Sequence, residues 1–310
     1  MSIIEQALNK ANDEGQKLND ATDLPSDLEN SADSQRTSFD NPSVAAVKPT
    51  QRTKKEQSSV YPIEKPITEI DWPRLGDLGF VSPGDSNTQA VEEYRNIKRP
   101  LVSNAFGKGS EGIARANLIL ITSSLPGEGK TFTAINLALS IANERDKQVL
   151  LIDADVARPS VSKVLGIKST PGLIDYLDSD DLTFADIAVR TSIPGLLLIP
   201  AGKPHKHSTE LLSSDKMAAF VEELSTRYPD RLVIFDSPPL LAATQGDILA
   251  KLVGQVVLVI EAEKTMQSVV MESVEKLASC DVVLAIFNKT KRNMDVDYYG
   301  YGYGYGQYAH

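Results

Sequence analysis

The sequence is poor in cysteine and in long apolar runs. Its one cysteine, Cys280, excludes a disulfide framework and any four-thiolate metal centre built from one chain, and suits a reducing compartment. No apolar run approaches the roughly 18 residues of a membrane-spanning helix. The first residues lack the basic and apolar regions of a signal peptide. We therefore expect no disulfide, no signal peptide and no membrane span.

Basic side chains are also fewer than acidic ones. The 310 residues include 32 basic and 42 acidic side chains, a formal net charge of −10. This balance argues against broad, sequence-independent binding to nucleic acid. Apolar residues at 41% and charged residues at 24% are enough for an ordinary core.

The composition changes near residue 90. Residues 1–89 are rich in Ser, Asp, Asn, Gln and Pro and have few apolar clusters. Such a segment buries too little surface to offset its ordering entropy, so we predict that it is mostly disordered. Apolar residues at helical spacing between residues 3 and 11 fit either a frayed helix or a short docking helix for a partner.

Residues 90–290 alternate between apolar, β-branched runs and helical patterns. This alternation predicts an α/β fold with a doubly wound, mostly parallel sheet. The predicted strands are Leu118–Thr122, Val149–Ile152, Leu196–Ile199, Leu232–Phe235, Val256–Ile260 and Val282–Phe287, and the predicted helices are Thr131–Glu144, Leu211–Tyr228 and Met266–Ala278.

The last residues, 291–310, form a third region in which tyrosine alternates with glycine. Six of the ten tyrosines lie here: Tyr298, Tyr299, Tyr301, Tyr303, Tyr305 and Tyr308. The glycines give backbone freedom and no packing partner, which predicts a flexible tail.

A glycine-rich loop joins the first predicted strand to the first predicted helix. Its sequence, Ser124–Thr131, matches the phosphate-binding pattern Gly-x-x-x-x-Gly-Lys-Ser/Thr except that Ser124 replaces the first Gly. Backbone N–H groups turned by the glycines, with the helix dipole, would hold phosphates. Lys130 would reach the β- and γ-phosphates, and the Thr131 hydroxyl would ligate Mg²⁺. The predicted nucleotide-binding residues are Ser124, Pro126, Gly127, Glu128, Gly129, Lys130, Thr131, Phe132 and Asn288.

Three carboxylates follow two of the predicted strands. Asp153 and Asp155 follow one strand, and Asp236 follows another, so all three should lie at the edge of the sheet that carries the loop. With Thr131, Asp153 and Asp236 are the predicted Mg²⁺ ligands. Either Asp153 or Asp155 could accept the proton of an attacking hydroxyl. Ordinary strand-end caps are the simpler alternative.

Asn288 follows the last predicted strand. Its amide could read the edge of an adenine ring, and a turn-forming asparagine is nearly as consistent with the position.

The chain resembles the bacterial tyrosine kinases of polysaccharide export. The resemblance rests on the phosphate loop, on Leu150–Arg158, on the run from Asp236 to Pro239 and on the tyrosine-rich end. It is greatest to the soluble autokinases of exopolysaccharide and exosortase systems. It implies an ATP- and Mg²⁺-dependent kinase in which Lys130, Asp153, Asp155 and Asp236 are catalytic.

The resemblance also implies an assembly. The subunits of a cytoplasmic ring would phosphorylate each other's tails, and a transmembrane chain-length partner would recruit them to the inner face of the membrane. Family members often carry Glu-x-x-Arg-x-x-Arg before the first strand for subunit contacts. Glu92, Arg95 and Lys98 fill that spacing here, with Arg99 beside them. Lys98 departs from the pattern, and a solvated helix face is the alternative.

Other functions remain open at this point. A partitioning or division-site ATPase would normally carry a second lysine where this chain has Leu125. A nitrogenase-type iron protein needs paired cysteines. A non-catalytic scaffold would not need the set of Lys130, Thr131, Asp153 and Asp236.

Overall fold

The computed structural model describes residues 65–82, 88–107, 111–144, 147–227 and 230–291. The predictions for the first 64 residues, with their docking helix, and for the tyrosine-rich tail from residue 292 lie outside these ranges.

The described part of the chain is built on a seven-stranded sheet. The strands are β1 Leu118–Ser123, β2 Gln148–Asp153, β3 Val189–Arg190, β4 Leu196–Ile199, β5 Arg231–Asp236, β6 Gln255–Glu261 and β7 Val282–Asn288. Their order is β3-β4-β2-β5-β1-β6-β7, and only β3 runs antiparallel to its neighbour. The prediction of a mostly parallel, doubly wound sheet is confirmed. Four of the five interior strands, β2, β5, β1 and β6, are almost wholly buried, which explains why they read as continuous apolar runs.

Ten helices surround the sheet in the described ranges. They are α1 Trp72–Asp77, α2 Gln89–Phe106, α3 Lys130–Ala142, α4 Val161–Leu165, α5 Leu173–Asp178, α6 Phe184–Ile187, α7 Ser208–Leu212, α8 Asp215–Arg227, α9 Gln245–Ala250 and α10 Gln267–Lys276.

One predicted helix is divided in two. The pattern over Leu211–Tyr228 appears as the end of α7 and the whole of α8. Ser214 lies between them, where its hydroxyl donates to the Leu211 carbonyl (2.7 Å) and accepts from the Met217 N–H (3.2 Å). A serine that satisfies backbone groups in this way favours a helix boundary over a helix interior.

The N-terminal boundary of the folded part lies earlier than residue 90. Residues 65–82, which composition placed in the disordered segment, bury Ile70, Leu75 and Phe80 in the core. The Phe80 ring packs on Phe132 of α3, with the ring centroids 4.8 Å apart. These apolar positions are too few and too far apart for composition to reveal them, and packing against the rest of the core buries them.

Helix α2 also packs against α3. Tyr94 and Leu101 of α2 are buried. Lys98 donates to the Ser140 carbonyl (2.7 Å) and pairs with Glu144 (2.8 Å), so it neutralises the C-terminal end of α3. Its side chain is only 12% exposed. Lys98 thus has partners within its own subunit, and its predicted role as a subunit contact stays a prediction.

Candidate nucleotide-binding site

The phosphate loop, Ser124–Thr131, joins the end of β1 to the start of α3. Gly127 and Gly129 have φ values of 89° and 102°, which L side chains rarely adopt. Helix α3 begins at Lys130 without a side-chain cap, so its first N–H groups have no intrahelical partner. The loop therefore presents unpaired donors and the positive end of a 13-residue helix, the arrangement that binds phosphate.

The register of the sheet brings the three carboxylates to this loop. Asp153 at the end of β2 and Asp236 at the end of β5 are paired across the two strands, and β5 lies next to β1. All three carboxylates are buried, with Asp155 just beyond β2. The prediction that they meet at the edge carrying the loop is thus confirmed in position, and their chemical roles are taken up below as a proposal.

Lys130 is held by Asp155. Its ammonium lies 2.6 Å from Asp155 Oδ2, and the two side chains are 12% and 5% exposed. The other oxygen of Asp155 accepts the N–H of Arg158 (3.2 Å). The cation that would meet the phosphates is therefore already present at the loop and neutralised by a carboxylate.

Thr131 and Asp236 form a second pair. The Thr131 hydroxyl donates to Asp236 Oδ2 (2.7 Å) and lies 3.0 Å from the Ser160 hydroxyl. The other Asp236 oxygen, Oδ1, is buried without a hydrogen-bond partner. Burial raises the pKa of Asp236 to about 6, although nearby Lys130 and Thr131 oppose the rise.

Asp153 is anchored to the backbone. Its Oδ2 accepts the N–H groups of Ser160 (3.1 Å) and Val161 (3.0 Å), while Oδ1 is buried without a partner. Burial, reinforced by the negative charge of Asp236, raises the pKa of Asp153 to about 8. Asp153 and Asp155 therefore face different partners, although they are only two residues apart.

These oxygens suit a hard divalent cation. Mg²⁺ binds one or two carboxylates, a Thr hydroxyl, waters and substrate phosphates rather than a closed protein cage. Asp153 and Asp236 each have one buried oxygen without a partner, and the Thr131 hydroxyl bonds to the other oxygen of Asp236, so these groups provide that chemistry. Among the described residues, no group of three or more His, Cys, Asp or Glu side chains forms a complete metal centre.

Glu128 has an internal role in the loop. Its carboxylate is buried, accepts the N–H of Leu125 (2.7 Å) and bonds to the hydroxyl of Thr265. Any contact of Glu128 with a nucleotide is therefore left to its backbone. Any contact of Phe132 with a nucleotide is likewise left to its backbone, because its ring packs on Phe80.

Two residues at the end of β7 also bind the loop. The Asn288 amide donates to the Glu128 carbonyl (2.8 Å), and the Lys289 ammonium donates to the Gly127 carbonyl (2.7 Å). A Cβ on Gly129 would collide with the Asn288 amide, which explains the glycine there. The structure thus places Asn288 against the loop itself, and its predicted contact with adenine stays a prediction.

Sequence reasoning missed Lys289, Thr265 and Ser273. The Ser273 hydroxyl of α10 lies 2.8 Å from the hydroxyl of Ser124, the residue that replaces the first glycine of the pattern. All three contacts join positions more than 130 residues apart, so no local pattern announces them.

Comparison with known proteins agrees with this geometry. Residues 116–292 match the AAA domain family. The tyrosine-protein kinase YwqD of Bacillus subtilis is 34% identical over 213 residues, which cover 67% of this chain and 85% of that protein. The tyrosine-protein kinase ptk of Acinetobacter johnsonii is 34% identical over 189 residues, which cover 61% of this chain and 24% of that protein. The chain thus spans about a quarter of the length of several of its curated relatives.

Solved structures of tyrosine kinase domains are also similar to this chain. The kinase domain of the Escherichia coli tyrosine kinase ETK is 26% identical and covers 81% of this chain and 89% of its own, with a TM-score of 0.61. The VpsO kinase domain is 32% identical and covers 64% of this chain and 95% of its own, with a TM-score of 0.53. The fold and the loop define a P-loop nucleotide-binding domain. The chain belongs to the bacterial tyrosine kinase family.

In the described ranges, no helix combines the length and the apolar character that crossing a bilayer requires.

Proposed function

We propose that this protein is an ATP- and Mg²⁺-dependent tyrosine kinase that phosphorylates its own C-terminal tyrosines. The observation that carries the proposal is the arrangement around the loop. Lys130 and Thr131, at the start of α3, each contact a buried carboxylate, Asp155 and Asp236 respectively. Tyrosine kinase relatives that share the domain support the reaction, and the six tail tyrosines supply a substrate on the same chain.

The Lys130–Asp155 pair suggests how the site responds to ATP. The phosphates of bound ATP compete with Asp155 for the Lys130 ammonium, since both are anions at the same cation. Lys130 then stabilises the charge of the transferring phosphoryl group. Asp155 Oδ2, released from its partner, becomes the acceptor for the phenolic proton of an incoming tyrosine.

Asp153 and Asp236 have a different part in this scheme. They would hold Mg²⁺ together with the Thr131 hydroxyl, and the metal would neutralise charge on the phosphates. Asp153 is a poorer base than Asp155 because two backbone N–H groups fix one of its oxygens and the cation would occupy the other. This assigns the base to Asp155, where the sequence left the choice open.

The assembly and its regulation are part of the proposal. Glu92, Arg95 and Arg99 lie exposed on α2 and remain candidates for contact with a neighbouring subunit, with Glu92 and Arg95 paired to each other. Tails phosphorylated between subunits would gain about −1.5 to −2 charges per tyrosine and loosen the assembly by repulsion. A transmembrane partner would bring this cycle to the inner face of the membrane and so regulate exopolysaccharide export.

Labelled ATP tests the reaction. The purified full chain is incubated with Mg²⁺ and γ-labelled ATP, and the modified residues are mapped by mass spectrometry. We expect label on the tail tyrosines of the wild type and none on Lys130→Met. Release of free phosphate without labelled tyrosine would indicate an ATPase switch instead, and no turnover of ATP would indicate a scaffold.

A mixing experiment tests transfer between subunits. A variant with all six tail tyrosines changed to Phe supplies the active site, and Lys130→Met supplies the only tyrosine tail. Label on the Lys130→Met chain supports transfer between subunits, whereas an unlabelled mixture contradicts it.

A further inference from the structure

We propose that Lys289 is a positioning residue that sets the shape of the phosphate loop. It does so by holding the Gly127 carbonyl turned away from the phosphate site. This inference rests on the proposed function, because it concerns the same nucleotide site.

The contact between Lys289 and the loop is direct. The Lys289 ammonium donates to the Gly127 carbonyl (2.7 Å) and to Glu261 Oε2 at the end of β6 (3.1 Å). The Glu261 side chain is only 15% exposed, so it gives the ammonium a fixed anchor. Lys289 is thus held between a strand end and the loop rather than free in solvent.

A carbonyl that points outward fixes an N–H that points inward. In a trans peptide the C=O and the following N–H lie in one plane and point in opposite directions. With the Gly127 carbonyl held by Lys289, the Glu128 N–H faces the other way. The Asn288 amide does the same for the next peptide by holding the Glu128 carbonyl. Two successive N–H groups are therefore directed by donors that belong to β7 and the residue after it.

The loop needs such an external constraint. A Cβ on Gly127 would meet nothing within 4 Å, so packing at residue 127 itself does not fix the orientation of its carbonyl. A flip of that peptide would place a carbonyl oxygen, instead of an N–H donor, toward an anion. The charged hydrogen bond from Lys289 opposes that flip.

The backbone of Lys289 is a second, independent observation. Its φ is 58°, in the left-handed region that residues other than glycine rarely adopt. Such conformations persist where the surroundings over-determine them, and they concentrate at functional sites. Lys289 follows directly on the last residue of β7, so this turn begins where the strand ends.

The test compares three lysine variants of the full chain. Lys289→Met removes the donor at similar length, and Lys289→Arg retains it. Lys264→Met is the matched control, because Lys264 is also an exposed lysine that pairs with Glu261, through Oε1 (3.2 Å). The dissociation constant for Mg·ATP is measured by calorimetry, and the unfolding of the nucleotide-free protein is measured in urea.

We expect Lys289→Met to weaken Mg·ATP binding about tenfold, the usual scale for a hydrogen bond to a charged group. Lys289→Arg should restore binding to within about threefold, and Lys264→Met should leave it unchanged. The two Met variants should unfold at similar urea concentrations, which separates positioning from general stabilisation.

Two results would overturn the inference. One is wild-type affinity in Lys289→Met. The other is a loss of affinity that follows a loss of stability and that Arg does not rescue. If the wild type itself binds no Mg·ATP, the proposed function fails and the inference fails with it. If the wild type binds ATP and labels its tyrosines while Lys289→Met matches it, only the inference fails.

Discussion

The two sides of the phosphate loop are built on opposite principles. On the carboxylate side, formed by Asp153, Asp155 and Asp236, buried oxygens of Asp153 and Asp236 have no hydrogen-bond partner. On the clamp side, formed by Thr265, Asn288 and Lys289, donors meet the Glu128 carboxylate and the carbonyls of residues 127 and 128. Unpartnered buried oxygens are costly in the free protein and become favourable once a ligand binds them. The carboxylate side is thus arranged to bind a ligand, and the clamp side fixes the shape of the loop.

The largest effect should come from Lys130. Lys130→Met should lower tyrosine phosphorylation by about 100- to 1,000-fold, the range for removal of one charge-stabilising donor. It should also destabilise the free protein, because Asp155 is left buried without its cation. The double variant Lys130→Met/Asp155→Asn should recover much of the stability and none of the activity, as urea unfolding and labelled ATP would show. Recovered activity would contradict the roles given to both residues.

Substitutions of Glu128 test the contacts of the clamp side. Glu128→Ala removes the acceptor for the Leu125 N–H and the partner of the Thr265 hydroxyl, and it should lower the free energy of unfolding by about 2 kcal/mol. Glu128→Gln keeps a group that can bond to both and should cost less than half as much, as measured by urea denaturation. Equal losses in the two variants would show that the charge, rather than the hydrogen bonds, holds the loop.

The pH dependence of the free energy of unfolding tests the carboxylate side. In the folded protein without metal the pKa of Asp153 is raised to about 8 and that of Asp236 to about 6, so between about pH 4 and about pH 8 these two groups hold more protons in the folded state than in the unfolded chain. Their contribution to the free energy of unfolding should therefore fall as the pH rises from about 4 to about 8.

Asp153→Asn removes one of these titrating groups while keeping its shape. In the presence of a chelator, this variant should exceed the wild type in stability by on the order of 1 kcal/mol at about pH 8.5, and should lose most of that advantage at about pH 4.5. Urea unfolding at both pH values gives the comparison. Parallel profiles for the two proteins would mean that Asp153 is ionised in the folded state throughout.

The smallest effect should come from Ser124. Its hydroxyl contacts Ser273, which also donates to the Val269 carbonyl, so Ser124→Ala leaves Ser273 with a partner. We expect a loss of about 0.5–1 kcal/mol in unfolding free energy and unchanged affinity for Mg·ATP. A large loss of affinity would make Ser124 part of the phosphate site rather than of its support.

The carboxylate side could be read from the sequence, whereas the clamp side could not. Six strands follow from local apolar runs, and parallel strands bring their carboxyl ends to one edge, so Asp153, Asp155 and Asp236 were predictable neighbours of the loop. The two-residue β3 carries no such run. The roles of Asn288 and Lys289 depend on contacts with residues about 160 positions away and on a left-handed backbone, neither of which leaves a local pattern.

Two other features share this origin. Lys98 matches a subunit-contact pattern by spacing, and within its own subunit the packing of α2 on α3 also brings it to Ser140 and Glu144. Residues 65–82 lack a strong apolar pattern, yet Leu75 and Phe80 are buried, with Phe80 against Phe132 of α3. In each case tertiary packing decides what a local pattern leaves open.

The position where β7 ends limits how far the tail tyrosines can lie from the nucleotide site. Lys289 contacts the loop, so the chain beyond it starts next to the nucleotide site. Tyr298 lies seven residues past Lys291, the last described position, so chain length alone limits its distance from Lys291 to about 25 Å. Under the transfer between subunits proposed above, the phosphate loop of a neighbour that accepts Tyr298 must lie inside that radius. Tyrosines further along have a larger radius, so each added residue would extend the distance over which one subunit could reach another.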